Sequence, residues 1–131
     1  MQEQFVPYEL ALELRELGFN EKCFSFYWST PSLKHHKYLE SGIRGEVRFG
    51  HFNNENRISA PLWQQAFDWF REKYNLHIII DSNVNNSGYR CCIVNQNNNI
   101  YNNIDDRFNT YNEARLECLK KLIELCETQK N

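Results

Sequence analysis

The sequence predicts an α+β fold, with three helices packed on a small, mainly antiparallel sheet of about five strands. Three observations predict it. Ser59–Tyr74 carries helix-start signals and more apolar surface than one ordinary helix face needs. Thr110–Glu113 opens a second strong helical pattern. Between them lie alternating or β-branched runs separated by Asn- and Gly-rich turns, so residues 59–127 read α-β-β-β-α. An α-β-β portion, residues 1–58, precedes them. No Gly/Ser- or Pro-rich linker and no internal repeat divides the chain, and its 131 residues are expected to form one domain.

Taken in order, Pro7–Leu17 reads as the first helix. Leu10, Leu14 and Leu17 recur at helical spacing, while Glu9, Glu13 and Glu16 hold the opposite, solvated side. Gly18 stops it, and Phe19 stands where an apolar contact follows a glycine cap. Phe24–Trp28 alternates as a strand. Residues 29–45 read as a loop. Glu46–Phe52 alternates again, and the two strands are expected to pair as a hairpin with a long connection. Asn53–Arg57 is polar and is expected to be flexible.

Pro61 suits the first turn of the central helix, where its missing N–H costs nothing. Trp63, Ala66, Phe67, Phe70 and Tyr74 form one apolar stripe. Leu62, Trp69 and the stem of Lys73 form a second beside it. A helix apolar this far round is buried on two sides, so this one is expected to hold the two portions of the domain together. His77–Asp81 and Tyr89–Asn95 read as strands joined by an Asn-Ser-Gly turn at 83–88. Ile100–Ile104 is a weak third strand, and Asp105-Asp106 beside Arg107 reads as a turn. Thr110-Tyr111-Asn112-Glu113 is a capping box. Ala114, Cys118, Leu122 and Leu125 follow as a buried stripe, widened by Leu119, Ile123 and Cys126. The expected structural core centres on Trp63, Phe67, Trp69, Phe70 and Leu122.

Composition narrows the function classes. Net charge is −2, and 15% of residues are aromatic. Residues 1–58 hold 7 basic against 8 acidic side chains and residues 59–131 hold 8 against 9, so neither half is a polycation. No apolar run has transmembrane length, and the Met-Gln-Glu-Gln-Phe-Val-Pro start lacks the basic and apolar regions of a signal peptide. The five cysteines have neither disulfide-framework nor zinc-finger spacing. They are expected to be buried free thiols in a reducing cytoplasm. Seventeen asparagines against four alanines suggest an AT-rich genome.

Lys34–Arg57 is the most basic segment, with five Lys/Arg against Glu40, Glu46 and Glu55. Lys34, Lys37, Arg44, Arg48 and Arg57 are its candidate contacts to nucleic acid or a partner, with Tyr38 and Phe52 available for stacking. The alternative is a solvated loop and strand face. His35, His36 and His51 lack a carboxylate or cysteine at metal-ligand spacing. No nucleophile elbow, P-loop, metalloprotease helix or dinucleotide fingerprint is present. No catalytic residue, metal or cofactor is therefore assigned.

Residues 59–125 resemble a double-stranded-RNA-binding domain in element order and length. That family grips phosphates with lysines at the start of its last helix. The matching stretch here, Tyr111-Asn112-Glu113-Ala114-Arg115, has one Arg and one Glu, which tells against RNA binding. Three blocks, Phe5–Phe19, Ser59–Leu76 and Phe108–Glu124, resemble a group of small proteins, with no established activity, of gut Bacteroidetes and their phages and prophages. Trp63-Gln64-Gln65-Ala66-Phe67-Asp68-Trp69-Phe70-Arg71 is the most specific part. The resemblance implies a mobile-element context and transfers no catalytic residue. The expected function is a non-enzymatic binding or accessory protein of phage or mobile-element origin, cytoplasmic in a bacterial host, with a protein as partner. A nucleic-acid-binding module is the alternative, and an enzyme of unrecognised type comes third.

Overall fold

The structure is a computed structural model, and it describes residues 4–28, 39–41, 50–83, 88–95 and 100–130. It is an α+β fold of three helices and two antiparallel sheets of three strands each. The chain divides into two compact units, Met1–Ala66 and Phe67–Asn131. The division falls inside the central helix rather than at residue 58.

In the first unit, α1 (Tyr8–Leu17) buries Leu10, Ala11, Leu14 and Leu17 and leaves Glu9, Glu13 and Glu16 exposed. Gly18 ends it at φ 106°, a left-handed conformation that glycine adopts without steric cost. The N–H of Gly18 bonds the Arg15 carbonyl, and that of Phe19 bonds the Leu14 carbonyl. This is a Schellman cap, and the Phe19 ring beyond it is buried.

The first sheet is β1 (Ser25–Trp28) between β2 (Leu39–Ser41) and β3 (Arg57–Ala60), all antiparallel. Two sequence expectations change here. A strand, β2, lies within the stretch read as a loop. The partner of β1 on its other side is 57–60, read as the end of a flexible segment and the start of a helix. Residues 53–57 form a bonded turn. Asn54 Oδ1 accepts from the N–H groups of Asn56 (2.7 Å) and Arg57 (2.8 Å), and Asn53 Oδ1 accepts from Ser59 N–H (2.8 Å). These bonds set the chain into β3. Of the strand expected at 46–52, residues 46–49 lie outside the described residues. Gly50 makes an isolated bridge with Cys23, and 51–52 are not in a strand.

The central helix, α2 (Trp63–Tyr74), starts later than Pro61 suggests. Pro61 precedes it, buried, and its carbonyl accepts from Val6 N–H. Gln65 supplies the cap instead, its Oε1 accepting from Leu62 N–H at 3.0 Å. This is the returning half of a capping box. Trp63, Ala66, Phe67 and Phe70 of the first stripe and Trp69 of the second are buried, while Leu62 and Tyr74 are part-buried and Lys73 is exposed. Asn75, at φ 56°, ends the helix in the left-handed region that Asn tolerates better than most residues.

In the second unit, β4 (Leu76–Asn83), β5 (Gly88–Asn95) and β6 (Ile100–Phe108) form a meander with β5 central. β6 runs past the expected Ile104. Its register with β5 shifts between Tyr89 and Cys91, so Asp105–Arg107 belong to an irregular stretch of strand and not to a turn. α3 (Tyr111–Lys130) packs on this sheet. Thr110 Oγ1 accepts from Glu113 N–H (3.1 Å), and Glu113 Oε2 accepts from Asn109 N–H (3.2 Å). The capping box is thus formed one residue wide of its usual return bond. Ala114, Cys118, Leu119, Leu122, Ile123 and Cys126 are buried.

Cys91 and Cys118 form a disulfide, with Cα atoms 6.2 Å apart. This corrects the expectation of five free thiols. Adjacent Cys91 and Cys92 do face opposite sides of β5, but the register directs Cys91 to the helix, where Cys118 is the facing residue. Cys23, Cys92 and Cys126 are free and buried. No described helix is long and apolar enough to cross a membrane.

Candidate functional site

Of the five basic candidates, Lys34, Lys37, Arg44 and Arg48 lie outside the described residues, as do His35, His36 and Tyr38. Arg57 is described, and it sits in an aromatic cluster on one face of the first sheet. Strand alternation builds that face. Ser25 and Tyr27 point one way, opposite Ala60 and Ile58, and Tyr27 Oη donates to the Val6 carbonyl at 2.8 Å. Phe26 and Trp28 point the other way, opposite Ser59 and Arg57.

The Arg57 guanidinium lies 5.1 Å from the Phe26 ring centroid and 5.8 Å from that of Phe52. Phe26 is edge-on to Trp28 (5.1 Å) and tilted against Phe52 (4.9 Å). A guanidinium over aromatic faces is attracted by the ring quadrupole and is held in a fixed orientation. Phe26 is buried beneath it, while Phe52, Trp28 and Arg57 are part-exposed. Phe52 is fixed in turn by its N–H, which donates to Ser59 Oγ at 3.2 Å. Sequence reading named Arg57 and Phe52 and missed Phe26 and Trp28. The alternation of residues 24–28 was the signal that puts those two rings on one face.

The other reactive groups of this unit are quiet. Burial pushes the Cys23 thiol up to about 12, against a smaller downward effect of its bond with Ser59. A thiol held protonated is neither nucleophile nor metal ligand. Burial also pushes the Tyr27 phenol up to about 12. Among the described residues, no three His, Cys, Asp or Glu side chains gather as a metal site.

In the second unit, three cations in the first half and at the middle of α3 are engaged within the helix. Arg115 lies 5.6 Å from the Tyr111 ring centroid and donates to Asn112 Oδ1 at 2.7 Å. Lys120 pairs with Glu117 and Lys121 with Glu124. On the sheet, Asp81 takes two bonds from Arg90, at 2.7 and 3.1 Å, and the hydrogen bond from that guanidinium lowers its carboxyl pKa.

No protein-family model, curated protein or solved structure matches the chain.

Proposed function

We propose that this chain is a non-enzymatic binding or accessory protein of phage or mobile-element origin, acting in the cytoplasm of a bacterial cell, and that its partner is a protein. The observation that carries this reading is the Arg57 cluster. Arg and Trp, set beside buried aromatic rings, are the residue types that anchor protein interfaces. Arg57 is held over Phe26 and Phe52, which supports a flat recognition surface more than an arm reaching for phosphate. The Phe26 ring is buried, and the part-exposed Phe52 and Trp28 rings pack against it instead of standing free as a stacking platform.

The alternative is a nucleic-acid-binding module, and the α-β-β-β-α order of α2 to α3 favours it. The internal engagement of Arg115, Lys120 and Lys121 weighs against it. The test is capture from host lysate with and without nuclease, using the full chain and an Arg57→Ala variant. A nuclease-resistant protein partner, captured by the parent and lost with Arg57→Ala, supports the proposal. Nuclease-sensitive capture, with nucleic-acid affinity that falls steeply with salt, sinks it in favour of the alternative.

A further inference from the structure

Strand β4 is the outer strand of the second sheet. It bonds β5 on one side, and among the described residues no strand takes the other. Edge strands normally carry a device against edge-to-edge pairing: a lysine, a proline, a bulge or simple shortness. β4 has no lysine, proline or bulge and is not short, and its one carboxylate, Asp81, is paired with Arg90 of β5. The strand is eight residues long, contains no Arg, and pairs with β5 without a break from Leu76↔Asn95 to Asn83↔Gly88. Its centre is Ile78-Ile79-Ile80, and Ile79 is 48% exposed. Cys91 faces α3 through its bond to Cys118, and Ile80 is its cross-strand partner. Ile79 therefore lies on the face turned away from α3.

We infer that this edge is a self-association site, at which a second copy of the chain lays its own β4 antiparallel to the first. A two-fold axis perpendicular to the sheet keeps each face on its own side. The paired residues must then share a face, which restricts the axis to a residue position. Centring it on Ile79 sets Ile79 against Ile79, Ile78 against Ile80, and His77 against Asp81. Centring it on Ile78 or Ile80 instead sets Ile79 against His77 or Asp81. The Ile79 register alone matches apolar with apolar and imidazole with carboxylate. Arg90 and the Asp81 backbone N–H occupy part of the acceptor capacity of that carboxylate, and His77 Nε2 already faces Asn75 Oδ1, so the cross-strand bond falls to the other ring nitrogen, Nδ1, carrying its proton. The inference uses only residues of the second unit and does not depend on the function proposed above.

The test is sedimentation equilibrium of the full chain over a concentration series, with three variants. The parent should be a reversible dimer. Ile79→Lys should raise the dimer dissociation constant about tenfold or more, because like charges then face each other, with an unchanged circular dichroism spectrum. Directly opposed Cα atoms lie about 4.5–5.5 Å apart, within disulfide reach. Ile79→Cys should therefore crosslink two chains under mild oxidation. Ser82→Cys, also exposed but opposite Leu76, should not. A parent that stays monomeric at its highest soluble concentration overturns the inference, even if an added extended peptide then occupies the edge. So does a dimer indifferent to Ile79→Lys, or one that crosslinks through position 82 and not 79.

Discussion

The two units solve the same problem, a small antiparallel sheet with a helix on it, by different means. The first sheet has strands of four, three and four residues, and the second has strands of eight, eight and nine. A short ladder fixes little by itself. The first unit adds side-chain bonds to distant backbone: Tyr27 to Val6, Asn53 to Phe19 and Gln65 to Lys22. Among the described residues of the second unit, His77 with Asn75, Arg90 with Asp81 and Glu113 with Thr110 span short separations. There the long ladder and the apolar stripe of α3 carry the fold. The first sheet is thus held by polar staples, and the second by a long ladder, an apolar helix stripe and the Cys91–Cys118 bridge.

The hardest way to break both units is through their cores. Trp63→Ala in the first and Phe70→Ala in the second should each cost about 3–5 kcal/mol, most of the stability of a small domain. Urea denaturation followed by circular dichroism reads this. A loss below about 1 kcal/mol at either site would remove that side chain from the core.

The next effect belongs to the second unit alone. The bridge between Cys91 and Cys118 closes a separation of 27 residues, and reducing it should cost about 3–4 kcal/mol by loop-closure entropy. Such bridges are rare in a reducing cytoplasm. Denaturing alkylation of protein trapped directly from cells should label three of the five cysteines, as mass spectrometry counts them. Five labels would show that no bridge forms there.

A finer comparison sets one staple against one cap. Asn53→Ala removes the acceptor for Ser59 N–H and the donor to the Phe19 carbonyl, both part-buried, and should cost about 2 kcal/mol. Thr110→Ala removes an exposed helix cap and should cost about 1 kcal/mol. The reverse ranking in urea melts would contradict the reliance of the first unit on polar staples.

A last effect is absent near neutral pH and appears only in alkali. Cys23, Cys126 and Tyr27 are each raised to about 12 by burial, from 9.0 for the thiols and 10.0 for the phenol. The folded chain then holds protons that the unfolded chain releases, so stability falls as pH rises. Their contribution is complete below pH 9, declines from there as unfolded thiols ionise, and declines faster above pH 10. Tyr27→Phe should flatten the part of the loss above pH 10, read by melting temperature against pH.

Legibility followed the same divide. β4, β5 and α3 were visible because each is long enough to show a period, and the capping box marked the start of α3. β3 was hidden. It has four residues, and its partner β1 lies some thirty positions earlier in the chain. Ser59-Ala60-Pro61 imitates a helix start, and the turn that makes it a strand depends on the Asn53 and Asn54 side chains finding particular N–H groups. The disulfide depended on which of two adjacent cysteines the register turns toward α3, and register is a tertiary fact. At the candidate site Arg57 stood out as a charge. Its meaning changed once β1 brought Phe26 beneath it.

The boundary between the units runs through α2, between Ala66 and Phe67. Cutting there would leave Trp63–Ala66 on one fragment and Phe67–Tyr74 on the other, four and eight residues of a twelve-residue helix. Neither reaches the length at which an isolated helix holds in water. The units are therefore not exchangeable modules. A fragment that kept either unit would have to carry the whole of α2 with it.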